Sequence, residues 1–295
     1  MVKMRSAITL FITLAIVSAM IAMIGITFTY LAKARKKAED KSALIEANLI
    51  YADASNAVSK FVGKKPSIGT LKNIYKIPLS VNELKGPFSL LVACAPARAA
   101  IPITWIREDG GAEREPYYAL ASKVIDAIAL KYNFKDPQRL KTMLSDAISS
   151  KYVVNFGSEG RLKKAKNYFS AREFKKILTD YALKEGDTKV FLPNWNKYFS
   201  FGQEYNSIDG NFLSADLISI IFDIDEQIAK EDFKSGNLLQ FINDNGLDIE
   251  LYRSKLFAKG AVVALTCSAN YSFGKGSYAF KFNYIDGKVE GFEFN

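Results

Sequence analysis

RSAITLFITLAIVSAMIAMIGITFTYLA, residues 5–32, decides how this chain is organised. After Arg5 no charged residue appears until Lys33, and an α-helix of this length, at about 1.5 Å per residue, can cross a bilayer core of about 30 Å. A cleaved secretory signal has a shorter apolar region of about 7–15 residues, so we predict a membrane-anchoring helix. Small residues around Ala19 leave a cleaved signal as an alternative.

The helical pattern continues beyond the apolar run. From Lys33 onward the chain is polar and contains no Pro or Gly until Gly63. Leu44, Leu49 and Val58 keep an apolar stripe near helical spacing. We therefore predict one long helix, apolar in its first half and amphipathic in its second.

Charge and cysteine content give opposite indications about the compartment. The net charge is +9, and the basic cluster Lys33–Lys37 outweighs Lys3 and Arg5 on the other flank, which favours a cytoplasmic body. The two cysteines, Cys94 and Cys267, form an even count that suits one disulfide in an oxidising compartment. From the residues alone, the orientation and the choice between free thiols and a disulfide stay open.

The body divides into strand-like ends and a helical middle. Apolar runs bounded by Pro and Gly predict strands, and runs with helical periodicity predict helices. The predicted strands are 87–94, 99–106, 261–273, 276–285 and 288–295, and the predicted helices are 117–132, 137–150 and 171–184. Asp286-Gly287 between the last two strands is a hairpin signal.

The N-terminal layout resembles that of type IV pilins and type II secretion pseudopilins. The sequence RSA/ITLFIT is similar to their processing site, with Ala7 as the last leader residue and Ile8 as the new N-terminus, which the family methylates. Thr9 and Leu10 match the second and third mature positions. The fifth mature position, normally glutamate, is Ile12. Absence of this glutamate is a feature of the K-type minor pseudopilin, which resembles a cap at the filament tip.

A second stretch, IDGNFLSADLISII at residues 208–221, resembles the K-type sequence N-x-N-T-A and the leucine-rich helix that follows it. Asn211, Ser214 and Ala215 match, and we expect Ser214 to be the N-cap of that helix. The acidic L-x-D-W-I-D motif is degraded at residues 144–149, where Asp146 remains but the Trp and the second Asp do not.

The resemblance implies an α+β fold with an N-terminal membrane and stem α-helix, a pilin-like α/β domain with an antiparallel sheet, and a mainly α-helical insertion. The implied divisions are a leader at 1–7, the membrane helix and stem at 8–62, the first part of the α/β domain at 63–111, the insertion at 112–258, and the final strands at 259–295.

The implied function is that of a non-catalytic minor pseudopilin that initiates or caps the periplasmic pseudopilus of a type II secretion system. Its partners would be other minor and major pseudopilins, the prepilin peptidase and the inner membrane, with one membrane pass and a periplasmic C-terminal domain. The alternatives are a pilin tip for DNA uptake or type IV pilus assembly, and an unrelated membrane-anchored periplasmic binding domain.

Enzymatic and metal chemistry find little support in the composition. The chain has no histidine, which excludes Ser-His and Cys-His nucleophilic sites and His-containing zinc sites, and two cysteines are too few for a cysteine-only metal site. We therefore expect no cofactor, although calcium remains an alternative because Asp244 and Asp248 flank Gly246 and Asp223 and Asp225 form a second acidic stretch before them.

The positive net charge also makes nucleic acid a candidate partner. Residues 161–176 interleave Lys and Arg with Tyr168, Phe169 and Phe174, the residue types that contact phosphates and stack on bases. A basic helix face is more often simply solvated, so nucleic acid is the less favoured partner.

Overall fold

The computed structural model describes residues 2–63, 66–82, 89–108, 111–153, 168–273 and 276–294. The helices are α1 Val2–Val62, α2 Ile68–Lys76, α3 Glu115–Tyr132, α4 Pro137–Val153, α5 Ala171–Glu185, α6 Ala215–Phe222, α7 Glu226–Asp232, α8 Leu238–Asp244 and α9 Ile249–Arg253. The strands are β1 Leu79–Asn82, β2 Ser89–Pro96, β3 Ile101–Pro102, β4 Tyr168–Phe169, β5 Phe199–Ser200, β6 Gly202–Gln203, β7 Ala264–Phe273, β8 Gly276–Ile285 and β9 Lys288–Phe294. The predicted α+β fold is confirmed.

Five strands form an antiparallel sheet in the order β1-β2-β7-β8-β9. Along β2, buried Leu90, Val92 and Cys94 alternate with more exposed residues, because successive side chains of a strand point to opposite faces. The predicted hairpin joins β8 to β9, with Asp286 and Gly287 at φ 48° and 84°. This left-handed conformation is the one that an Asp-Gly turn provides at low steric cost.

One face of the sheet packs on the second half of α1. We call this assembly of the second half of α1, α2 and the five-stranded sheet the sheet unit. Its core contains α1 residues spaced four apart, together with the inward residues of the central strands. The fully or nearly fully buried members are Ile50, Ala54, Val58, Val62, Ile74, Leu90, Val92, Cys94, Leu265, Cys267, Ala269, Tyr271, Phe280, Phe282 and Tyr284.

The chain between β2 and β7, residues 97–263, forms a second core of its own, and we call it the helical unit. α3 to α9 surround this core, with two short strand pairs, β3 with β5 and β4 with β6. The unit starts and ends at neighbouring points of the sheet, since the Ala97 backbone N–H donates to the Ala264 carbonyl oxygen over 2.8 Å.

Local signals explain where several helices begin and end. Pro137 opens α4, as predicted, and Ser170 forms a capping box with Glu173 at the start of α5. Asn133 and Gly186 adopt left-handed conformations that end α3 and α5. α3, α4 and α5 therefore begin and end within three residues of the predicted ranges 117–132, 137–150 and 171–184.

The structure differs from the prediction just after β2. The strand expected at residues 99–106 is reduced to Ile101–Pro102, and a 3₁₀ turn follows at Ile103–Ile106. Ile103, Trp105 and Ile106 are buried in the helical core. The helical unit thus begins before the predicted division at residue 111, because these apolar side chains pack on helices and not on the sheet.

Candidate functional site

The first half of α1 is an exposed apolar surface. Every described side chain from Thr13 to Ser42 is exposed, including large apolar residues such as Ile21 and Phe28. Among the described residues this helix alone is long and apolar enough to cross a membrane, judged by length and composition. A continuous apolar surface of this size requires lipid or other apolar helices around it.

The second half of α1 is fixed on the sheet. The Tyr51 ring makes edge contacts with Phe280 and Phe282, with ring centroids 6.3 and 5.6 Å apart. Further along, the hydroxyl groups of Tyr284 and Ser59 are 3.1 Å apart and form a hydrogen bond. One continuous helix therefore connects the apolar segment directly to the folded body.

Ala7, Ile8 and Ile12 lie in the helical backbone of α1 but outside the residues whose side chains the structure describes. The processing site and the role of Ile12 therefore stay predictions.

Cys94 and Cys267 lie opposite each other on β2 and β7, and a disulfide with an S–S distance of 2.01 Å joins them. Both are buried beneath α1, at 7% and 0% exposure. These two strands are the ones that enter and leave the helical unit. The bridge therefore closes the base of the whole inserted segment.

The stretch that resembles the K-type motif lies where the two units meet. The buried Asp209 carboxylate accepts hydrogen bonds from the Asn211 backbone N–H and side-chain amide, at 3.1 and 3.3 Å. The Asn211 side-chain oxygen in turn accepts from the Leu238 N–H, and its carbonyl accepts from the Gly236 N–H. As predicted, Ser214 caps α6 by accepting from the Leu217 N–H.

Burial raises the pKa of the Asp209 carboxyl to about 6, while the hydrogen bonds from Asn211 and then the charge of Arg98 oppose that rise. Gly210 is required for close packing here, since a Cβ at this position would lie 2.3 Å from a Leu238 methyl carbon. The motif therefore holds a tight, largely dry turn.

A small cavity of about 170 Å³, lined by both polar and apolar side chains, lies between α3, α6 and α7. Glu226 binds Lys131 at 2.9 Å and Lys230 at 2.5 Å, and the hydrogen bond from Lys230, followed by that from Lys131, lowers the pKa of Glu226 to about 2. Asp216 pairs with Lys197 and accepts from the Tyr198 hydroxyl. The carboxylates of this cavity are therefore paired with lysines of the same chain.

The four aspartates of the calcium hypothesis have other roles. Asp225 and Asp248 are N-caps of α7 and α9, Asp223 ends α6 and binds Lys123 at 2.6 Å, and Asp244 lies in the last turn of α8. Within the described ranges, no three His, Cys, Asp or Glu side chains come together as a metal site. The structure does not bring the predicted calcium ligands together.

The basic stretch 161–176 is described only from Tyr168 onward. Phe169 and Phe174 are 1% and 3% exposed, because both pack in the helical core. Neither ring can stack on a base while the protein is folded. The aromatic half of the nucleic-acid hypothesis is therefore wrong at these two residues.

Sequence reasoning did not identify the aromatic and basic residues that pack near the turn at residues 209–212. Arg98 lies over the Tyr205 ring at 5.5 Å, and Tyr75 of α2 meets Phe212 edge-on at 4.8 Å. These partners are more than one hundred residues apart in the chain. No local pattern links them, so only the tertiary structure could show the contacts.

Comparison with known proteins shows the fold. No family model and no curated protein matches the sequence. Among solved structures, the GspK chain in "The Crystal Structure of the GspK-GspI-GspJ complex from enterotoxigenic Escherichia coli Type 2 Secretion System" is similar, with a TM-score of 0.60 and 9% identity. The match covers 89% of this chain and 99% of that one. This chain therefore shares the pilin-like α+β fold of that structure.

Proposed function

We propose that this chain is a minor pseudopilin that initiates or caps the periplasmic pseudopilus of a type II secretion system. The observation that carries the proposal is α1. One helix of 61 residues is exposed and apolar in its first half and packed on a pilin-like sheet in its second half. Such a helix can rest in a membrane and later pack against equivalent helices without refolding the body.

The likeness to GspK supports a place among the minor pseudopilins, since that protein occurs in a complex with GspI and GspJ. By analogy, the partners of this chain are other minor pseudopilins, followed by major ones. The part of the stem that precedes the sheet contact, Lys33 to Leu49, spans about 25 Å at 1.5 Å per residue and holds the body away from the inner membrane on the periplasmic side. The role is structural and not catalytic.

Ile12 supports an end position. In this family a glutamate at the fifth mature position meets the N-terminal amine of a neighbouring subunit, because a buried carboxylate is costly without a partner. A subunit with nothing above it has no such amine to meet. An apolar Ile12 therefore fits the tip, and the bulk of residues 97–263 would be easiest to accommodate there.

Two measurements test the proposal in the native host. Intact mass should show a mature chain that begins at a methylated Ile8, and loss of the prepilin peptidase should leave residues 1–7 attached. An uncut chain, or a cut beyond Ala19, would exclude the pseudopilin assignment.

The tip role is tested by Ile12→Glu, with Ile12→Leu as the apolar control. We expect Ile12→Glu to reduce assembly with the other minor subunits, because it places an unpaired carboxylate among apolar helices. Ile12→Leu should assemble normally. Labelled Ile12→Glu protein that assembles at wild-type level and spreads along the filament shaft would contradict a reserved tip position.

A further inference from the structure

The two units meet through a narrow junction beside the two chain crossings. At the crossings, the Ala97 N–H donates to the Ala264 carbonyl and the Asp286 N–H donates to the Val263 carbonyl, each over 2.8 Å. Beside them, α2 of the sheet unit contacts the turn at residues 209–212 of the helical unit through the Tyr75 and Phe212 rings. Two strand connections beside a lateral contact of this kind can act as a hinge.

Asp209 lies at the centre of that lateral contact. It is 2% exposed, and its backbone N–H donates to the Arg98 carbonyl over 2.8 Å. The Arg98 guanidinium, however, lies over the Tyr205 ring and is 3.9 Å from Asp286. Among the described residues no cation forms an ion pair with the Asp209 carboxylate. Its hydrogen bonds come from Asn211.

On the opposing surface, the Tyr75 hydroxyl of α2 donates no hydrogen bond that would stabilise an ionised Asp209. The Tyr75 hydroxyl is buried and has no hydrogen-bond partner within the described part of the chain. Packing is close at Gly236, where a Cβ would lie 3.0 Å from an Ile68 methyl carbon, and the Gly236 N–H is held by the Asn211 carbonyl. An ionised Asp209 is therefore enclosed by α2, Asn211 and the Arg98 backbone, with little access for water.

We infer that Asp209 makes this junction responsive to protons: a protonated Asp209 keeps α2 and the helical unit closed together, and an ionised Asp209 favours opening. The physical reason is desolvation, since the charged carboxylate gains water when the junction opens and the neutral acid does not.

The direction follows from the pKa. The pKa of Asp209 is about 6 in the closed junction, against an ordinary value of 3.8. Because the closed state binds the proton more tightly, closure is strongest below pH 4, weakens as the pH rises from about 4 to about 6, and is constant above that. The other groups facing Asp209 are the Arg98 guanidinium and the Tyr75 and Tyr252 hydroxyls. Burial raises the pKa of both tyrosines above 10.0, so they stay neutral across this pH range.

Amide hydrogen exchange on the full chain in detergent micelles tests this inference. After correction for intrinsic exchange rates, opening reported by the Asp209, Gly236 and Leu238 amides should increase about tenfold or more from pH 4.5 to pH 7.5. In Asp209→Asn, which keeps an oxygen acceptor for Asn211, the increase should fall below about twofold. The exposed Asp244→Asn is the matched control and should behave like the wild type.

The wild-type profile decides the matter even if Asp209→Asn folds poorly. Junction amides whose corrected protection is flat across this pH range would overturn the inference. So would an equal pH response in a folded Asp209→Asn protein. Protection of the α3 core amides in the same samples reports whether the helical unit is intact.

Discussion

The sheet unit and the helical unit are stabilised in different ways. The sheet unit assembles distant parts of the chain, α1, β2 and β7 to β9, and a disulfide joins two of its central strands. The helical unit has no cysteine and relies on capped helices around a continuous apolar core that includes both tryptophans. Pairing between distant strands therefore has a covalent link in this protein, whereas the helical unit folds without one.

Removing this disulfide should lower the stability of the protein most. Replacing both Cys94 and Cys267 with Ala should destabilise the sheet unit by roughly 3–5 kcal/mol in the chain-entropy account, because the bridge closes a long loop with a sequence separation of 173. Urea unfolding of the full chain in micelles should show an earlier loss of β-sheet circular dichroism.

Fluorescence of Trp105 and Trp195 reports the helical unit in the same experiment, and its midpoint should change much less. Equal shifts of both signals would mean that the two units unfold as one. As a control on the bond itself, alkylation of the unreduced native protein should leave its mass unchanged.

An intermediate loss of stability is expected for Gly210→Ala. The new Cβ would lie 2.3 Å from a Leu238 methyl carbon and 2.9 Å from the Phe257 ring, so the turn or the ring must move, at about 1–3 kcal/mol. Tryptophan fluorescence in urea should detect the loss in the helical unit. Gly69→Ala is the control, because its Cβ would meet only Ser67 Oγ at 3.6 Å. If the two variants are equally stable, the junction is looser than the structure indicates.

The smallest losses of stability are expected from removing one helix cap in each unit. Ser170→Ala removes the α5 capping box and Ser67→Ala removes the α2 cap, each expected to cost about 1 kcal/mol. The first should shift the tryptophan transition and the second the sheet transition. A cap variant that shifts the signal of the other unit would show that the junction couples them.

Features with a local cause were predictable from the sequence. Continuous hydropathy indicated α1, Asp286-Gly287 indicated the last hairpin, and Pro137 and Ser214 indicated helix starts, since each acts within a few residues. Features that depend on tertiary contacts were not predictable. The run at 99–106 is as apolar as a strand but packs on helices, and Phe169 and Phe174 look available among lysines although both are buried.

The residues of the candidate site also divide into those with a local sequence signal and those that depend on tertiary contacts. Asn211 and Ser214 could be identified from their stretch of sequence, whereas the contribution of Arg98 and Tyr75 required the fold. The acidic loops offered residue types that bind calcium, but Asp225 and Asp248 are N-caps. A capping aspartate and a metal-binding aspartate have the same sequence pattern, and only the arrangement of neighbouring side chains separates them.

The position of the disulfide also has a mechanical consequence. A pulling or pushing force applied to the helical unit reaches the sheet along the backbone through Pro96 and Ala264, at the ends of β2 and β7. Separating these strands from that end would break the Pro96–Leu265 and Ala95–Thr266 pairs and then stop at the covalent bond between Cys94 and Cys267. Load beyond that point is shared by both strands and passes to α1, which packs on them, so the helical unit can bear force without separating β2 from β7.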